Sequence, residues 1–144
     1  MHDGPGMPEY WLAKRYPIRL HDHVTVVWWE QRGAGLSFDP GLPAKDMTAA
    51  QFVADTLEVT HYLLERFDQE KIYLMGHSWG GYIGIQAVDQ APELYHAYIG
   101  VGQITHQLES EQLAYEYARA YYHHIGDHRM LRRLDGAPQG LLPV

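Results

Sequence analysis

The run Lys71-Ile72-Tyr73-Leu74-Met75 leads without a spacer into Gly76-His77-Ser78-Trp79-Gly80-Gly81, and an apolar helical pattern from about Trp79 to Gln90 follows at once. A short β-type run, a glycine-rich turn and a helix in direct succession constrain the fold strongly. They describe a strand that hands its chain to a helix packed back across a sheet. The flanking sequence repeats the alternation. Val24-Thr25-Val26-Val27-Trp28-Trp29 is apolar on both faces and is halted by Gly33 and Gly35, which predicts a buried strand. Residues 36–47 hold Pro40, Gly41 and Pro43 and read as a surface loop. Thr48 and Gln51 make a capping-box signature that opens a helix to about Phe67. Its core face is Phe52, Val53, Leu57, Leu63, Leu64 and Phe67, which leaves Asp55, Glu58, Glu65 and Arg66 for solvent. After Ala91-Pro92 closes the next helix, Tyr95 to Val101 predicts a third strand. The expectation is an α/β fold with parallel pairing.

From Ser110 the character changes to Glu, Gln, Ala, Tyr and Arg with no strand candidate. Ser110 is read as an N-cap, Gly126 as a stop and Asp127 as the start of a shorter helix to about Leu134. The expected division is residues 1–104, a sheet-bearing part, and residues 105–144, a helical appendage. There are no internal repeats and no low-complexity tract.

Gly76-His77-Ser78-Trp79-Gly80 has the form G-x-S-x-G in the context that form requires. A serine hydroxyl is a poor nucleophile unless it is held exposed beside a base. A strained turn between strand and helix gives that exposure, and small residues two positions either side let neighbouring backbone pass. The N-terminus of the following helix offers free N–H groups and partial positive charge where an oxyanion would form. His2-Asp3-Gly4-Pro5-Gly6 is a glycine-rich loop able to turn a backbone N–H toward a reacting carbonyl, with the Trp79 N–H as second donor. On its own it is also compatible with an ordinary turn.

Three ordered segments, His2-Asp3-Gly4-Pro5-Gly6, Trp29-Glu30-Gln31-Arg32-Gly33-Ala34-Gly35-Leu36-Ser37 and Gly76-His77-Ser78-Trp79-Gly80-Gly81, resemble the α/β-hydrolase superfamily, nearest its proline iminopeptidase-like branch. That branch carries H-G-G-P-G, D-Q-R-G-x-G-x-S and G-x-S-W-G at similar spacing. Asp3 stands where a glycine is typical and Glu30 where an aspartate is. A side chain at Asp3 places negative charge beside a developing oxyanion, while the backbone N–H of Gly4 stays available. The resemblance implies a partial α/β-hydrolase sheet with flanking helices and the start of a helical cap. It assigns Ser78 as nucleophile and the N–H groups of Trp79 and Gly4 as oxyanion donors. Arg32 is read as a buried structural ion pair. Tyr115, Tyr117, Tyr121 and Tyr122 form a stripe that either lines a pocket or packs.

An acyl-transfer triad also needs a histidine base and an orienting carboxylate, which in this class follow the serine. After Ser78 come His96, His106, His123, His124 and His128, none in the expected context, and the turn should point His77 away. No base is assigned. In the family the oxyanion loop follows a strand that lies between the two neighbouring ones, and here only Met1 precedes it. The expectation is therefore a central slice of a hydrolase roughly twice as long, with the acid and histidine on later strands, and inactive as an isolated chain. A shared strand would come from missing segments or an oligomer. The alternative is a non-catalytic hydrolase-fold remnant or interaction module. Aminopeptidase or amidase and esterase chemistry both stay open, with a small-molecule or short-peptide substrate.

Composition narrows the rest. Eleven basic and 18 acidic residues give a net charge of −7, which argues against nucleic acid and anionic membrane as partners. Ten histidines would carry the sum to +3 if all were protonated. The absence of cysteine removes thiolate chemistry and Cys-based metal sites. Neither Gly33-Ala34-Gly35 nor Gly100-Val101-Gly102 completes a dinucleotide fingerprint, and no H-E-x-x-H supports His21 with His23, or His124 with His128, as a metal site. No cofactor and no metal are expected. No apolar stretch approaches the roughly 18 residues of a bilayer span, and the first residues have no signal-peptide pattern, so the expected compartment is cytoplasmic.

Overall fold

In the computed structural model, which describes residues 1–17 and 19–136, strands β1 (Ile72–His77) and β2 (Tyr95–Val101) run parallel. The register places Tyr73 opposite Ala97, Met75 opposite Ile99 and His77 opposite Val101, with an irregularity between Ile72 and Tyr73. Parallel neighbours need a crossover. Helix α3 (Trp79–Gln90) supplies it and ends where Pro92 opens a short 3-10 turn. Every second residue of β1 faces the helices, so Leu74 and Gly76 are buried while Tyr73 and Met75 are exposed on the opposite face.

Helix α2 (Ala49–Phe67) begins with Thr48 accepting from the Gln51 N–H at 3.2 Å. Only half of the capping box forms, because the Gln51 amide reaches Asp55 instead. The core joins Phe52 and Val53 of α2 to Ile83 and Ala87 of α3, with Met1, Ala49, Leu57 and Trp79 packed against it. The expected core face of α2 is thereby corrected. Thr56 and Thr60 are buried, whereas Phe67 is exposed. The two threonines tolerate burial because their hydroxyls donate to the carbonyls of Phe52 and Thr56, four residues back, at 2.7 and 2.8 Å. Thr60 also meets the Tyr95 hydroxyl at 3.0 Å.

The expected strand at Val24 to Trp29 does not form. Its backbone has no ladder partner among the described residues, and Val24, Val27 and Trp28 lie exposed. High β-propensity fits a side chain to a pleated surface but cannot replace the neighbouring strand that supplies the hydrogen bonds. Helix α1 (Tyr10–Arg15), short and without a side-chain cap, was not foreseen.

The chain divides into two units, Met1–Ile104 and Thr105–Val144. The second contains α4 (Gln107–His124) and α5 (His128–Asp135), joined through Gly126 at φ 71°. α4 starts one turn before the expected Ser110 cap. His106 is its N-cap, without a side-chain bond, and the Ser110 N–H already donates to the His106 carbonyl. Asp127 caps α5 by accepting from the Met130 N–H at 3.0 Å, and Arg119 pairs with Asp135 at 2.9 Å. Tyr117 and Tyr121 are exposed and Tyr115 and Tyr122 half-buried. The end of the expected appendage, residues 137–144, lies outside the described residues.

Candidate active site

The end of β1 turns sharply at Ser78, which has φ 49° and ψ −110°. A non-glycine residue there stores about 1–3 kcal/mol of strain, so the surroundings must enforce it. The Ser78 N–H donates to the Val101 carbonyl at 2.8 Å, which anchors the turn to β2. Two glycines make room. A Cβ on Gly76 would sit 2.8 Å from the Gly81 nitrogen, and one on Gly80 2.6 Å from the Met1 carbonyl oxygen. Ser78 stands at the N-cap of α3 with no capping bond from its side chain, which leaves the hydroxyl uncommitted to the helix. The first turn of α3 carries no acidic residue of its own to neutralise the positive end of the helix dipole.

The loop after Met1 lies on this elbow. The His77 N–H donates to the Met1 carbonyl at 3.1 Å and the Met1 ammonium to the Met75 carbonyl at 2.6 Å, so the first residue pairs with the edge of β1. His2 is buried and fixed by three bonds. Its Nε2 accepts from the Gln31 N–H at 2.9 Å, and its carbonyl accepts from the Gln31 amide at 3.0 Å. With Nε2 an acceptor, Nδ1 carries the proton and donates to the Asp3 carbonyl at 2.6 Å. The Gln31 amide oxygen accepts from the Trp79 indole N–H at 3.1 Å. One buried glutamine thus ties together the three segments singled out in the sequence. His2 and Gln31 had no assigned role there, although both sit inside the motifs.

Asp3 lies against both expected oxyanion donors. The Ser78 hydroxyl holds its carboxyl below the usual carboxylate range, against desolvation, and the N–H groups of Gly4 and Trp79 add to that effect. Of these, Gly4 makes a full hydrogen bond of 2.7 Å to Oδ1. The structure therefore brings Ser78, Trp79 and Gly4 together, with the Asp3 side chain among them.

Support comes from outside this group. Arg32 grips Asp55 of α2 with two bonds of 2.8 and 2.6 Å. Asp55, expected in solvent, is instead half-buried. Desolvation works to raise its pKa, but the bonds from Arg32 and Gln51 and the Arg32 charge hold it low. Glu30 accepts from the Leu36 N–H within its own loop. His77 points to Glu9, Nδ1 to Oε1 at 2.6 Å. His96 stacks on Tyr73 at the far end of the sheet from Ser78. His106, His123, His124 and His128 belong to the second unit, where all four are exposed. Among the described residues no group of three or more His, Asp or Glu side chains gathers as metal ligands would. A shallow hollow of about 300 Å³ lined by Tyr10, Lys14, Val26 and Trp28 includes none of the elbow residues.

A parallel strand that ends in a positive-φ serine at the mouth of a helix, with a glycine-rich loop laid beside it, defines the strand–turn–helix elbow of α/β-hydrolases. The chain belongs to the alpha/beta hydrolase fold family, whose family model matches residues 4–130. Its relatives fit the proline iminopeptidase-like branch. It is 38% identical over 119 residues to a Bacillus subtilis protein named "Probable aminopeptidase YbaC", covering 83% of this chain and 37% of that one. It is 30% identical over 101 residues to a proline iminopeptidase of Clostridium botulinum, covering 69% and 32%. It is 28% identical over 90 residues to an epoxide hydrolase of Caenorhabditis elegans, covering 62% and 21%. The matched segment covers about a third of the length of the first two relatives and about a fifth of the third. No solved structure matches it.

Proposed function

We propose that this chain carries the nucleophile elbow and oxyanion loop of a serine hydrolase that cleaves amides, short peptides or esters through an acyl-enzyme. The observation that carries the reading is the strained backbone of Ser78 on a turn cleared by Gly76 and Gly80. In this mechanism the Ser78 oxygen bonds to the substrate carbonyl carbon while the hydroxyl proton passes to a base. The negative charge that forms on the carbonyl oxygen is received by the N–H groups of Gly4 and Trp79. The tetrahedral species collapses to an acyl-enzyme, the leaving amine or alcohol departs with a proton, and water releases the acid. The base and its orienting acid are assigned to no residue of this chain. Residues 105–144 are proposed as the start of a helical cap.

Relatives named aminopeptidase and proline iminopeptidase favour an amide substrate. The test of the nucleophile is labelling with a fluorophosphonate probe. Native protein should be labelled at Ser78 faster than Ser78→Ala, and equal rates refute the reading. The native chain, if it turns over, should then cleave a proline arylamide faster than a short acyl ester if it is of the aminopeptidase type. The reverse order makes it an esterase.

A further inference from the structure

We propose that Asp3 is a specificity-determining residue, favouring substrates with a cation next to the scissile carbonyl because such a cation draws the Asp3 carboxylate off the oxyanion donors. The proposal rests on the reading of Ser78 given above. The Asp3 Oδ1 holds the Gly4 N–H at 2.7 Å, and the Ser78 hydroxyl and Trp79 N–H lie close to the same carboxylate. The backbone on either side is fixed. His2 is bound twice by Gln31, its carbonyl oxygen lies 2.7 Å from where a Gly80 Cβ would be, and the Asp3 carbonyl is held by the His2 ring. The carboxylate must therefore leave by side-chain rotation.

A neutral acyl group that displaces it leaves an unpaired negative charge beside the growing oxyanion, and like charges at that range raise the barrier. Among the described residues no Lys or Arg pairs with Asp3, and the imidazole near it, His77, is engaged by Glu9. The compensating cation has to come with the substrate. An α-ammonium is attached to the carbon next to the reacting carbonyl, the position that a carboxylate one residue before Gly4 can reach. Binding of such a group frees the donors and neutralises Asp3 in one exchange.

The test compares 1-aminoethylboronic acid with isopropylboronic acid, which replaces the ammonium by a methyl. The Ser78 oxygen bonds to boron to give a tetrahedral boronate, and the hydroxyl proton passes to buffer. Both are titrated by calorimetry and boron NMR against native protein, Asp3→Asn and Ser78→Ala. Differences in boron acidity cancel in the ratio of ratios. Native protein should prefer the ammonium compound about fivefold more than Asp3→Asn does, the scale of a solvent-facing ion pair. In native protein alone, added salt should weaken the ammonium compound relative to the isopropyl compound, whose anionic boronate it relieves of repulsion from Asp3. A ratio of ratios of one, or two salt responses alike, overturns the role of Asp3 while Ser78 stands. A general tightening of both compounds in Asp3→Asn without a change of preference makes Asp3 a plug only and also overturns it. If native protein binds neither compound better than Ser78→Ala does, the Ser78 reading fails and this inference with it.

Discussion

Replacing Ser78 by glycine should give a more stable protein than replacing it by alanine, although both remove the hydroxyl. The residue sits at φ 49° and ψ −110°, where a Cβ costs about 1–3 kcal/mol. Glycine adopts that backbone freely but loses more entropy on folding, about 0.5–1 kcal/mol. Alanine keeps the Cβ and the strain. Both variants lose the hydroxyl and its contact with the Asp3 carboxylate, so that loss cancels in the comparison between them. Ser78→Gly should therefore exceed Ser78→Ala in stability by about 1 kcal/mol, which for a chain of this size raises Tm by about 3 °C. Reversible thermal and urea unfolding of native protein, Ser78→Ala and Ser78→Gly, followed by circular dichroism, measures it. An alanine variant as stable as the glycine variant would refute the claim that the elbow stores strain. Such strain is tolerated where it positions a reacting group, so the same pair should show no labelling by a serine-directed probe.

Substituting His2 by Phe should lower stability by about 1–3 kcal/mol, because the buried Gln31 N–H loses its acceptor; the shift in urea midpoint reads it. Gly80→Ala should cost a similar amount, about 1–3 kcal/mol by overpacking, since the new Cβ meets the Met1 and His2 carbonyl oxygens at 2.6 and 2.7 Å; a melt no lower than native would count against that close approach. Asp55, whose folded pKa is depressed, stabilises the protein at pH above its ordinary value of 3.8, and that contribution is lost as pH falls through the folded value. Asp55→Asn should therefore be less stable by about 1 kcal/mol at neutral pH and approach native in acid, as stability measured across pH will show.

The elements that could be read from sequence are those whose signals are local. β1, α3 and β2 follow one another through a glycine turn and a Pro stop, and Thr48 marks the start of α2 within its own first turn. Val24 to Trp29 misled because its residue types report a preference for a pleated surface, and the partner that turns preference into a strand is not a local property. Thr56 and Thr60 misled in the other direction. Polar by type, they settle their hydroxyls on the helix backbone and so pack as apolar residues would. In the site, Ser78 was legible because the turn needs small residues at Gly76 and Gly80. The joining role of Gln31 was not, since its partners His2 and Trp79 are 29 and 48 residues away. At Asp3 the sequence disclosed the charge. That the side chain turns back onto Gly4 depends on a rotamer, which only the structure supplies.

The hydrogen bonds through Gln31 also have a direction. Donation runs from the Trp79 indole to the Gln31 amide oxygen and from that amide to the His2 carbonyl, and on a second path from the Gln31 backbone N–H to the His2 ring and from the ring to the Asp3 carbonyl. That carbonyl and the Gly4 N–H belong to one peptide unit. Drawing electron density toward the oxygen leaves the N–H more acidic, and bonds aligned in series reinforce one another by about 10–30% each. Gln31 thus polarises two successive peptide units of the loop, through its side-chain amide at the His2 carbonyl and through its backbone N–H and the His2 ring at the Asp3 carbonyl, and the second of these sharpens the Gly4 N–H as a donor.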